Sequence, residues 1–205
     1  MPHLKLRYFD IDGGRGETAR LAMSIGKVPF EDERFQSGDW PAIRATTPFL
    51  QAPVLEIDGQ ALTQCNTINR YTGKLAGLYP DDPLQAAYCD EVMDAIEDIT
   101  VKVGRTLFIQ DPEEKRRLRE ELAAGPIPLY VTRVGEMLAR GGGDYFADRR
   151  LTVADLKAFV WIRHLRSGNL EHVPGDFPDR LAPNLVTHCQ RIEAHPGVRA
   201  WYAAH

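Results

Sequence analysis

The run Phe49-Leu50-Gln51-Ala52-Pro53-Val54-Leu55-Glu56-Ile57-Asp58-Gly59 decides the architecture. An apolar strand opens on a proline, and a second short strand, Ala61–Leu62, follows a tight Asp-Gly turn. Proline cannot donate to a sheet ladder, so Pro53 marks an edge, a strand start or a bend. A cis bond at Ala52-Pro53 would turn the chain sharply and leave the backbone of Ala52 free to pair outside the sheet. An extended, peptide-like ligand is a natural partner for such an edge.

Upstream, Leu4 to Phe9 alternates, with Leu4, Leu6 and Tyr8 on one side and Lys5 and Arg7 on the other, as in a strand with one buried face. Asp12-Gly13-Gly14 breaks it. Helical spacing of Ala19, Leu21, Ala22 and Ile25 predicts a helix over Glu17–Ile25, stopped at Gly26. Pro29–Phe35 reads as a second strand, so the first unit is strand-helix-strand with a right-handed crossover. Asp39 to Arg44 is a short irregular helical turn, and Asn66–Leu75 a third helix after the hairpin. The order βαβ, helical turn, ββα predicts a thioredoxin-like domain over residues 1–78.

Composition changes at Leu78-Tyr79-Pro80-Asp81-Asp82-Pro83, which gives a linker over residues 79–83. No strand pattern follows, and residues 84–205 read as an all-helical domain. Leu84, Tyr88, Val92, Ile96, Ile99, Val103 and Leu107 recur at three- and four-residue steps along one long helix. Glu113–Ala124 gives another helix. Gly125-Pro126-Ile127-Pro128 breaks or kinks the chain before a helix over Leu129–Leu138. Thr152-Val153-Ala154-Asp155 is a capping pattern ahead of the apolar run Leu156–Leu165. Two short helices, Leu185–Ala194 and Val198–Tyr202, close the chain around Pro196-Gly197. The expected fold class is α/β plus all-α, a thioredoxin-like domain followed by a helical bundle.

Net charge is -4, from 25 Lys and Arg against 29 Asp and Glu, which gives no reason to expect a nucleic-acid or anionic-membrane partner. No apolar run approaches membrane-spanning length, and the N-terminus lacks the apolar core of a secretory signal. Cys65, Cys89 and Cys189 form no CxxC or metal-type spacing, and the histidines show none either. A reduced, cytoplasmic setting and no metal are expected.

Leu6-Arg7-Tyr8-Phe9 followed by Arg15-Gly16-Glu17-Thr18-Ala19-Arg20 resembles the start of the sigma-like, tyrosine-type class of the cytosolic glutathione transferases. Asp39-Trp40-Pro41, Gln51-Ala52-Pro53, the Gln64-Cys65 helix start and the capped helix at Thr152 follow in that family's order and spacing. The resemblance spans nearly the whole chain. It implies a homodimeric transferase with glutathione as co-substrate and no further cofactor. The helical domain would carry much of a cleft for a hydrophobic electrophile, with Phe9, Arg105 and Phe108 as candidates for its edge.

The family's site residues carry over position by position. Tyr8 matches the tyrosine whose hydroxyl donates to the glutathione thiolate; a free thiol near pKa ~8.5 is mostly protonated at neutral pH, so such a donor matters. Arg15 matches the arginine that supports both, on a loop slightly longer than the family's. Trp40 and Arg44 match the donors for the glycine carboxylate, with arginine where the family often has lysine. Gln51 matches a hydrogen-bonding position, and Ala52, before Pro53, the backbone that pairs with the cysteinyl part. Gln64 and Cys65 match the pair that binds the γ-glutamyl end at a helix N-terminus. Cysteine here replaces serine, a weaker donor and a poorer cap. It reads as a passive substitution, with a reactive helix-start thiol as the competing reading. Asp90, Asp94 and Asp98 form one acidic stripe, and Asp98 best matches the aspartate that reaches the partner subunit's glutathione.

The function this implies is attack of the glutathione thiolate on hydrophobic electrophiles. The rivals are a glutathione-dependent isomerase or peroxidase of the same fold and a non-catalytic binding protein. Retention of Tyr8, Trp40, Gln51 and Gln64 argues against the last. Thiol-disulfide exchange at Cys65 is disfavoured by the absent CxxC.

Overall fold

A computed structural model describes residues 2–205 of the chain. The N-terminal part is a four-stranded sheet in the order β2-β1-β3-β4. β1 (Leu4–Phe9) and β2 (Glu31–Phe35) run parallel and are joined by α1 (Gly14–Ile25). A 3-10 turn at Ser37–Asp39 leads into α2 (Trp40–Arg44). β3 (Val54–Ile57) runs antiparallel to β1, and β4 (Gln60–Leu62) completes a hairpin with it. Asp58 and Gly59 take φ of 48° and 82°, the left-handed pair that a two-residue hairpin turn of right-handed twist requires. α3 (Cys65–Leu75) follows.

The alternation of β1 is realised. Leu4, Leu6 and Tyr8 are buried. On the opposite face Lys5 and Arg7 pair with Glu33 of β2, at 3.3 and 3.0 Å.

α1 begins at Gly14, ahead of the expected Glu17, and is buried on all sides from Gly16 to Met23. Ala19 and Met23 pack with Leu4, Leu6 and Leu55 of the sheet, while Leu21 and Ala22 belong to the larger helical core. The helix therefore joins the two layers. It carries two charged residues into that dry position. Arg20, fully buried, binds Asp32 at 3.0 Å and the carbonyls of Phe9 and Ile11 at 3.1 and 2.9 Å. Glu17 accepts from the indole of Trp201 at 2.9 Å.

The rest of the chain is helical: α4 (Pro83–Arg105), α5 (Pro112–Ala124), α6 (Pro126–Arg140), α7 (Val153–Arg166), α8 (Phe177–Leu181), α9 (Pro183–Glu193) and α10 (Pro196–Ala204). α6 starts at Pro126 rather than the expected Leu129. Its prolines fall in the first turn, where a missing N–H removes no helical bond. α8, at five residues, is too short to show a period and was not expected from the sequence. Among the described residues, no helix is long and apolar enough to cross a membrane.

α7 is the axis of this part, with every residue from Val153 to Ile162 buried. Its start is fixed by the expected cap. Asp155 Oδ2 accepts from the Thr152 amide and hydroxyl, both at 2.8 Å. Asp155 Oδ1 accepts from the Phe146 amide at 3.0 Å and lies 2.9 Å from His188 Nε2. Each buried donor left unpaired costs roughly 1–3 kcal/mol. Asp155→Ala is therefore expected to lower stability by about 3 kcal/mol or more in urea unfolding. A loss below about 1 kcal/mol would contradict this role.

Candidate active site

The β1–β3 ladder ends at the pair Arg7–Val54. Tyr8 thus lies opposite Pro53, just past the last rung, and Ala52 takes no part in the ladder. The Ala52-Pro53 bond is cis. Tyr8 is buried against the start of α1. A β-carbon on Gly14 would fall 2.5 Å from its hydroxyl oxygen, and one on Gly16 2.5 Å from its ring. Only glycine lets the backbone approach so closely. The Arg15 amide donates to the Tyr8 hydroxyl oxygen at 2.9 Å. Burial raises the Tyr8 pKa, against the opposing pull of that amide and of Arg15 and Arg20. The group stays a phenol, and its proton is available to a further acceptor.

The Arg15 side chain turns to α4, where its Nε meets Glu97 Oε1 at 2.7 Å. The other Glu97 oxygen accepts from Lys157 Nζ of α7 at 2.7 Å and from Cys65 Sγ of α3 at 2.9 Å. Lys157 Nζ also donates to Asn66 Oδ1 at 2.6 Å and lies 3.4 Å from the Cys65 sulfur. Burial opposes the charge on Glu97, but Lys157, the Cys65 thiol and Arg15 outweigh it and hold its pKa down at about 2. Cys65 moves the other way: burial, with Glu97 adding to it and Lys157 opposing, pushes the thiol up to about 11. The usual acidifying effect of a helix start is outweighed here. The sulfur stays a protonated donor to Glu97.

Tyr8, Arg15 and Cys65 are thus brought together through Glu97. Sequence reasoning did not single out Glu97 or Lys157. The available signal was one lysine inside the apolar run Leu156–Leu165.

The remaining candidates frame this centre. Trp40 stacks on Phe35, with ring centres 5.7 Å apart, and packs against Phe9 at 5.2 Å. Arg44 donates to the carbonyl of Leu50 at 3.3 Å, and Gln51 is exposed. Gln64, also exposed, takes φ of 70° at the start of α3, a conformation uncommon outside glycine and found most often where a site demands it. The expected stripe of Asp90, Asp94 and Asp98 divides. Asp90 and Asp94 face α3, bound to Arg70 at 2.7 Å and to Asn66 at 2.6 Å. Asp98 is exposed beside Tyr130 of α6, because it lies a quarter-turn round the helix from Glu97. Phe9 is half-buried, while Arg105 and Phe108 stand exposed at the end of α4.

Residues 97–205 match the family description "Glutathione S-transferase, C-terminal domain". Over 99% of the chain it is 32% identical to glutathione S-transferase 1 of Ascaris suum, covering 97% of that protein. It is 31% identical to the hematopoietic prostaglandin D synthase of Gallus gallus, over 98% of this chain and 96% of that one. Among solved structures, a prostaglandin synthase D of Nilaparvata lugens superposes with a TM-score of 0.86 at 29% identity, covering 98% of both chains. The glutathione S-transferase of Ascaris lumbricoides gives 0.80 at 31% identity, covering 99% of this chain and 97% of that one. With a thioredoxin-like sheet leading into a helical bundle, and with full-length relatives at this identity, the chain belongs to the glutathione S-transferases.

Proposed function

We propose that this transferase attacks hydrophobic electrophiles with a glutathione thiolate stabilised by Tyr8, as a cytoplasmic homodimer. The observation that carries the reading is the Tyr8 hydroxyl itself: oriented by the Arg15 amide, kept protonated by burial, and set at the open end of the β1–β3 ladder. Glutathione lies along that edge, its cysteinyl backbone pairing with Ala52 beside Pro53. Gln51 hydrogen-bonds the peptide, and Trp40 and Arg44 take the glycine carboxylate. The γ-glutamyl end meets Gln64 and the amide of Cys65 at the start of α3, where free N–H groups and the helix dipole favour an anion. Arg15 keeps a positive charge beside the thiolate. Residues 1–78 hold glutathione, residues 79–83 link, and residues 84–205 shape the electrophile cleft. Likeness to prostaglandin D synthases supports a second reading, glutathione-dependent isomerisation by the same thiolate.

A hydrogen bond to a charged group is worth about 1.5–3 kcal/mol, so Tyr8→Phe should cut conjugation roughly 10- to 100-fold. Glutathione affinity should stay within a few-fold, and the ultraviolet thiolate signal should shift to higher pH. Unchanged turnover with an unchanged signal would remove Tyr8 from this role.

In this reading Asp98, exposed on α4, reaches the glutathione of the partner subunit. Asp98→Ala is expected to weaken glutathione binding by calorimetry while leaving the melting temperature close to wild type, and sedimentation should give a dimer at micromolar concentration. A monomer binding glutathione at full affinity would refute the shared site.

Lys157 secures Glu97, and through it Arg15 and the start of α3. Because the Glu97 pKa is depressed, its pairing adds stability above the ordinary value of 4.5, and that stability is lost as pH falls toward about 2. Lys157→Met leaves the carboxylate buried without its main partner, at a cost of about 3 kcal/mol at neutral pH. In urea unfolding the deficit should narrow as pH drops below 4.5, where Glu97 of the variant takes up a proton. A deficit independent of pH would mean that Lys157 acts by packing alone.

A further inference from the structure

A second cleft opens at the Gly13–Gly14 turn. It has a volume of about 150 Å³ and lies between that turn, α7 and Tyr202 of α10. Gly14 lines it and also touches Tyr8, whose hydroxyl a β-carbon on Gly14 would approach to 2.5 Å. The cleft is therefore next to the atom that stabilises the thiolate.

Its lining is rich in hydrogen-bond donors. Arg163, exposed, stands over the Tyr202 ring at 4.3 Å and has no carboxylate partner among the described residues. The Tyr202 hydroxyl is buried between Arg163 and the Glu17 carboxylate. The side chains of His164 and Asn169 complete the wall. Burial and the nearby Arg119 lower the His164 pKa, so its imidazole is neutral at pH 7 and offers one N–H. The acids around the cleft are engaged elsewhere. Asp12 at its rim pairs with Arg34 at 3.3 Å. Glu17, which faces Tyr202 from α1, is held by Arg20 and by the Trp201 indole. One guanidinium without a carboxylate partner among the described residues is left facing the cleft, beside His164 and Asn169.

We propose that this cleft seats the carboxylate of an acidic electrophile, so that the enzyme prefers second substrates bearing a carboxylate a short apolar chain away from the reacting carbon. This rests on the transferase reading above. A carboxylate matches the guanidinium fork with two oxygens and still has lone pairs for a hydroxyl or an amide. The volume admits such a group with a few methylenes, since a water occupies about 30 Å³. An uncharged ester would forgo the charge-assisted pairing with Arg163 and leave that guanidinium to solvent.

The test uses the full chain with saturating glutathione at neutral pH. Its probes are an α,β-unsaturated ketone with a terminal carboxylate, the methyl ester of that compound, and a neutral aryl halide. Each kcat/KM is divided by the uncatalysed rate. The acid is expected to exceed the ester by about tenfold or more, the scale of one charge-assisted hydrogen bond. Arg163→Gln should bring the ratio near one, and Arg163→Lys should keep part of it. Arg166→Gln, on the same helix but paired with Asp179 at 3.0 Å, should leave it unchanged. A ratio near one in the wild type, or one that survives Arg163→Gln, overturns the proposal. So does an acid that is not turned over while the aryl halide is. Failure to conjugate any of the three compounds would instead overturn the transferase reading, and the proposal with it.

Discussion

The carboxylate of Glu97 is where four separate elements meet. One oxygen takes the Arg15 guanidinium from the first turn of α1, and the other takes Lys157 from α7 and Cys65 from α3, while Glu97 itself sits on α4. Removing two charges from water costs several kcal/mol per ion, which a single contact does not offset. The remaining hydrogen bonds of Lys157 and Glu97 make the arrangement tolerable. Its yield is positional. The sheet edge that holds Tyr8, the start of α3 and the helical core are fixed relative to one another.

The same economy appears deeper in α1. A helix buried on every side can join two cores, but it then has no wet face for its polar residues. Arg20 and Glu17 resolve this by binding Asp32, two strand-end carbonyls and the Trp201 indole. The last helix is thereby tied to the first strand. The β1–α1 turn, which leads into Gly14 and Arg15, is anchored by the bonds from Arg20 to the carbonyls of Phe9 and Ile11.

Much of this was legible in the residues. The alternation in Leu4–Phe9, the Asp58-Gly59 turn, Pro53 and the Thr152–Asp155 cap each have a local physical signature, and each sits where that signature implies. The helix boundaries were less legible. Gly13-Gly14 reads as a breaker, yet the close approach to Tyr8 makes glycine the residue that starts α1. Pro126 and Pro128 read as a kink until Gly125 is seen to end one helix and leave them in the first turn of the next. Glu97 and Lys157 are 60 residues apart, and their meeting depends on how α4 and α7 cross, which no local pattern encodes. The acidic stripe misled for a related reason. A four-residue step drifts around a helix, so Asp98 ends on a different face from Asp90.

Gly14 and Gly16 carry a consequence for how this protein can diverge. Gly14 lines the cleft beside α7 and also touches Tyr8, so main chain stands between the two. A wall of main chain is not reshaped by a rotamer change. Substitutions on α7 and α10 can remodel the far wall of the cleft while the backbone beside Tyr8 keeps its place. A single methyl group at either glycine would reach the tyrosine first. The two sides of that turn can therefore change independently of one another.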